Sequence, residues 1–143
     1  MKTEIKFSAF YKDRKPCIDV ETSIDGRKDI ILDSSEKTIA VDINYKNIDN
    51  LKIKFKNKCD NENNSIKIIS LKLDDIDMQH FIYQGKFYPE YNKNWYDQQT
   101  NKPPLFYKPG TEMRHNGVWI LETKTPIWKM VMDQWLTDEG KNA

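Results

Sequence analysis

Residues 39–55, IAVDINYKNIDNLKIKF, decide how this chain is read. Ile39, Val41, Ile43 and Tyr45 stand at every second position, and Leu51, Ile53 and Phe55 repeat the pattern. In an extended strand, period two puts each set on one face; in a helix the same residues would scatter around the axis. Between the runs, 47–50 offers the Asn and Asp residues that favour turns. The alternation predicts two half-buried strands joined by a tight connection.

The same period extends outward in both directions. Upstream it predicts strands at Ile5, Phe7 and Ala9, at Ile18 and Val20, and over 28–32, with a turn at 34–36. Downstream, 65–77 changes its apolar set from Ile66 and Ile68 to Ile69, Leu71 and Leu73, the mark of a β-bulge or of a strand buried on both faces. A hairpin around Gln84-Gly85 is expected over 81–88, and another strand over 117–123, with Val118, Trp119, Ile120 and Leu121 covering both faces. Pro126 then opens a short closing helix, about 126–139, with Ile127, Trp128, Val131, Met132, Trp135 and Leu136 at helical spacing. The whole, 1–143, is expected to be one mainly β domain: an antiparallel β-sandwich of jelly-roll type with a short C-terminal helix.

Composition narrows the function. Apolar residues make up 38%, charged residues 31% and aromatic residues 12%, which suits a polar but folded chain. A chain of 143 residues buries roughly two thirds of its unfolded surface and needs no metal or disulfide to fold. The net charge of +1 supplies no bulk attraction to nucleic acid or to an anionic membrane, and neither is expected as a partner. Among the basic residues 20 are Lys and 3 are Arg, a bias that an AT-rich genome produces. Cys17 and Cys59 are read as a reduced structural pair rather than a disulfide framework. No segment has the apolar length of a signal peptide or a membrane span, so synthesis in the cytoplasm is expected.

No catalytic apparatus stands out. His80 and His115 lie in no nucleophile motif, the five glycines stand alone, and Asp74, Asp75 and Asp77 read as a strand end. Four other features invite a partner. Asp60-Asn61-Glu62-Asn63-Asn64 offers hard oxygens on a loop, which suits Ca²⁺ through Asp60 and Glu62; the other reading is a hairpin loop of turn-favouring residues. The loop 89–112, rich in Pro and aromatic residues, carries Tyr91, Trp95, Tyr96, Phe106 and Tyr107, rings that stack on sugars, anchor an interface or cap the sandwich. Lys52, Lys54, Lys56 and Lys58 form a ladder, read mainly as a solvated face that guards a sheet edge and otherwise as a surface for an acidic polymer or an acidic neighbour. Trp128 and Trp135 make the closing helix either a core element or a docking surface.

Two stretches carry family resemblances. The run DNLKIKFKNKCDNENNSIKIISLKLDDID, 49–77, resembles the central strands of calcium-dependent carbohydrate-binding modules that bind xylan, with Phe55, Asn57, Asp60 and Glu62 at comparable places. The Asp-Arg-Asn motif that follows the loop in that family has no counterpart here. The run GVWILETKTPIWK, 117–129, is similar to the ending of small β-sandwich virion proteins of T4-like and marine tailed phages. The first resemblance implies a glycan ligand, with calcium. The second implies a non-enzymatic virion component, a capsid decoration or tail accessory protein. It would contact other virion proteins in a homo- or hetero-oligomeric assembly through the aromatic loop and the terminal helix. The virion role is the leading expectation and the carbohydrate-binding module its alternative.

Overall fold

A computed structural model describes residues 2–44, 51–59 and 63–122, the side chains of 79 and 80 excepted. The predicted closing helix with Trp128 and Trp135, and the loop residues Asp60 and Glu62, lie outside the described residues.

Alternation becomes burial. Ile5 and Phe7 in β1 (Lys2–Phe10), Ile39 and Val41 in β4 (Glu36–Asp42), and Leu51, Ile53 and Phe55 in β5 (Leu51–Lys56) are all buried, while the even-numbered residues between them face outward. The other long strands are β2 (Cys17–Glu21), β3 (Gly26–Ile31), β6 (Ser65–Leu73), β8 (Lys86–Pro89) and β10 (Gly117–Leu121); β7 (Ile76–Asp77) and β9 (Glu112–Met113) are short. Among the described residues they form two five-stranded antiparallel sheets. The first runs β4-β1-β6-β7, with β9 also pairing β6; the second runs β3-β2-β5-β10-β8. Most connections cross from one sheet to the other, so the two inner faces share one core, the sandwich expected from the periodicity.

The slip in 65–77 is a bulge. Ile5 pairs with Leu71 and Phe7 with Ile68, which leaves Ile69 as the extra residue and lets Ile66, Ile68, Leu71 and Leu73 all point inward. Asp74 and Asp75, with φ of 45° and 68°, form the left-handed turn joining β6 to β7. Asp74 also accepts the backbone N–H of Lys2 at 2.9 Å. These carboxylates have a turn to make.

Two expectations are corrected. The predicted hairpin over 81–88 is instead a 3-10 turn, Gln79–Gln84, followed directly by β8. Among the described side chains there, Met78 and Ile82, one helical turn apart, are the buried ones, and Gly85 is extended rather than a turn glycine. The lysine ladder does not guard an edge either: β5 lies in the middle of the second sheet, between β2 and β10. Its ammonium groups face acidic strand neighbours instead. Lys56 meets Asp19 at 2.8 Å and also Asp29, while Lys54 and Lys52 pair in register with Asp19 and Glu21. Burial works to raise the Asp19 pKa, but the Lys56 ammonium and the Asp29 backbone N–H outweigh it and hold the carboxyl below its usual value.

Candidate functional site

The segments 11–16, 57–59 with 63–64, and 90–116 meet at one end of the sandwich, where β1, β5 and β8 finish and β6 and β10 begin. Asn116 ties two of them together. Its amide donates to the Lys58 carbonyl at 2.9 Å, and its Oδ1 accepts the Lys58 backbone N–H at 2.9 Å. Asn64, buried, donates to the Arg14 carbonyl at 2.8 Å and fastens the third.

The long loop is held by its contact with β8. Tyr107 pairs with Phe87 as a strand would, exchanging backbone hydrogen bonds of 2.9 and 3.0 Å, and the Gly110 N–H reaches the Gly85 carbonyl. Close approach explains the glycines here. A Cβ on Gly110 would collide with the Phe87 backbone, one on Gly117 with the Tyr88 carbonyl, and one on Gly85 with the Trp119 indole.

Tyr91 is the hub of the loop. Its ring stacks on Tyr96 (centroids 5.5 Å apart), tilts against Trp95 (5.7 Å) and meets the His115 imidazole edge-on (5.3 Å). Its hydroxyl donates to the Pro104 carbonyl at 2.7 Å and stands 3.4 Å from the Tyr107 hydroxyl. Burial first, then the Tyr107 neighbour, pushes its pKa upward, so the phenol stays a donor. Trp95 and Tyr96 ride on a short helix, α1 (Lys93–Asp97), whose first turn is capped by the Asn92 side chain accepting the Trp95 N–H at 3.1 Å. Lys102 closes the group, its ammonium 5.0 Å from the Tyr96 ring centre and 2.7 Å from the Tyr96 carbonyl.

Beside this cluster lies an open cleft of about 460 Å³ lined by Lys58, Glu90, Tyr91, Asn92, Trp95 and His115. It combines an exposed indole (44%) with an ammonium, a carboxylate, an amide and an imidazole within one concavity. Rings give contact area and the polar groups give direction, the composition of a small-molecule site.

Of the residues singled out from sequence, Tyr91, Trp95, Tyr96 and Tyr107 are thus brought together. Phe106 is not among them: it packs on Tyr88 (5.7 Å) under the Lys86 ammonium (5.0 Å), on the outer face of the second sheet. Among the described residues no group of three or more His, Cys, Asp or Glu is placed to hold a metal ion, so a calcium site would depend on Asp60 and Glu62. Sequence reasoning weighed His115 as a catalytic base or zinc ligand and Lys58 as one rung of a lysine ladder, and passed over Glu90 and Asn92 as ligand contacts. The available signal was their position: loop residues next to strand ends, on a rigid scaffold.

No family model matches the chain, and no curated protein matches it. Among solved structures the chain is similar to a carbohydrate-binding module, vCBM60, in complex with galactobiose. The likeness has a TM-score of 0.54 and covers 85% of this chain and 97% of that one, at 7% identity. At that identity the resemblance is one of fold, and the fold this chain shares is the antiparallel β-sandwich.

Proposed function

We propose that this chain is a non-catalytic carbohydrate-binding module whose ligand lies in the cleft between Trp95, Tyr91 and His115. The observation that carries the reading is the pairing of an exposed indole, braced by Tyr91, with Lys58, Glu90 and Asn92 around one concavity. A sugar ring offers an apolar face for the indole and hydroxyls for the flanking donors and acceptors. The likeness in fold to a module solved with galactobiose supports this reading over virion assembly. The virion expectation leaned on 117–129, of which only 117–122 is described, as β10 and the residue after it. Calcium enters as part of the proposal, because Lys58 and Asn63, on either side of Asp60 and Glu62 in the chain, both line clefts at this end.

The test is calorimetric titration with β-linked galacto- and xylo-oligosaccharides, with calcium and with chelator. Binding is expected, and Trp95→Ala should weaken it by about 1.4–2.8 kcal/mol, roughly ten- to a hundredfold. Absence of binding to any of these glycans under both conditions overturns the reading. Binding unchanged by chelator removes calcium alone.

A further inference from the structure

We infer, resting on the glycan reading, that the site takes an internal stretch of a polysaccharide across several subsites, with Phe10 as a second aromatic platform. His115 lines not one cleft but three. The first, of about 460 Å³, holds Trp95 and Tyr91. The second, of about 470 Å³, shares Lys58 and His115 with the first and is flanked by Phe10 and Asn63. The third, of about 410 Å³, shares Glu112, Arg114 and His115 with the second and ends at Tyr107 and Pro109. Shared walls make them arms of one groove whose centre is polar, with an aromatic ring in each arm. A single sugar occupies one arm and leaves the other rings idle; a chain passing the His115 junction uses at least two.

Phe10 is the telling residue. It ends β1 opposite Ser65 and is 64% exposed, although the same strand buries Ile5 and Phe7 almost completely. It takes no part in the core, and it stands where the groove leaves the Trp95 arm behind. The centre supplies the polar contacts an inter-ring segment needs. Arg114 is held by Glu112 at 3.0 Å, and the only hydrogen bond of the Lys58 ammonium within the described residues is to the Cys59 carbonyl, at 3.2 Å. Lys58 therefore keeps donors for a ligand hydroxyl.

The experiment compares a disaccharide with an oligosaccharide of five or six units, both of the linkage the wild-type protein binds, on wild type, Trp95→Ala and Phe10→Ala. Affinity should rise with chain length in the wild type. Phe10→Ala should remove about tenfold of affinity for the long ligand while leaving the disaccharide unchanged, because only the long chain reaches the second platform. Trp95→Ala should weaken both. Equal affinity of wild type for short and long ligands, or a long ligand indifferent to Phe10→Ala, overturns the inference while the glycan reading stands. If no glycan of any length binds, both fall. Phe10 is exposed, so a variant that fails through misfolding is not expected, and the unchanged disaccharide affinity verifies that it folds.

Discussion

Tyr91 shows how much one side chain does at this site. Three aromatic neighbours surround its ring, and its hydroxyl reaches across to the Pro104 carbonyl. Tyr91→Phe keeps the ring and deletes that donor, so it should cost about 0.5–1.5 kcal/mol in thermal or denaturant unfolding. Glycan affinity should fall by much less than in Trp95→Ala. Asp25 plays a comparable part at the other end of the sandwich. It accepts the backbone N–H groups of Asp42 (2.9 Å) and Gly26 (2.8 Å) and pairs with Arg27 at 2.7 Å. The Asp42 hydrogen bond first, then Gly26 and Arg27, lowers its pKa against the opposing effect of burial. A carboxyl whose folded pKa is depressed stabilises the fold above the unfolded value, near 4, and loses that contribution as pH falls through the folded value. Asp25→Asn should therefore flatten the decline of Tm below about pH 4, with little change in slope above about pH 5.

At the level of strands and loops, the second sheet owes its edge to two glycines. Gly110 lets 107–110 run along β8, and Gly117 lets β10 lie tightly against Pro89. Gly110→Ala and Gly117→Ala should each destabilise by about 1–3 kcal/mol through overpacking against backbone that cannot yield, measurable by denaturant unfolding. Most strands were legible because alternation and burial are the same fact seen twice: Ile39, Val41 and Ile53 had to face one way, and they do. The Gln79–Gln84 turn was not legible, since Phe81 and Tyr83 alternate as a strand would, while Met78 and Ile82 are the buried side chains and Phe81 packs on the core only in part. Position within a sheet was hidden too. The ladder of Lys52, Lys54 and Lys56 looks the same on a guarded edge as in a central strand whose neighbour brings Asp19 and Glu21. In the loop, sequence marked the aromatic residues without sorting them. Phe106 and Tyr107 part company because Tyr107 pairs with Phe87 in strand fashion, and adjacent residues of an extended chain project to opposite sides.

Across the whole molecule, the sandwich separates its labour. The buried inner faces hold the fold, the outer face of the second sheet carries compensated charge, and one end gathers the loops that line the groove. β1 lies inside its sheet, flanked by β4 on one side and β6 on the other. Deleting residues 2–10 should therefore abolish cooperative unfolding and amide protection altogether, where loss of an edge strand would leave a smaller folded remainder. That placement also sets a clock on biogenesis. A ribosome adds about 5–20 residues per second, so the first strand waits on the order of several seconds for the partner at 65–73 to emerge. Until then Ile5 and Phe7 are bare to solvent, and nascent chains should recruit a holdase that releases them only once synthesis has passed β6 and its neighbours.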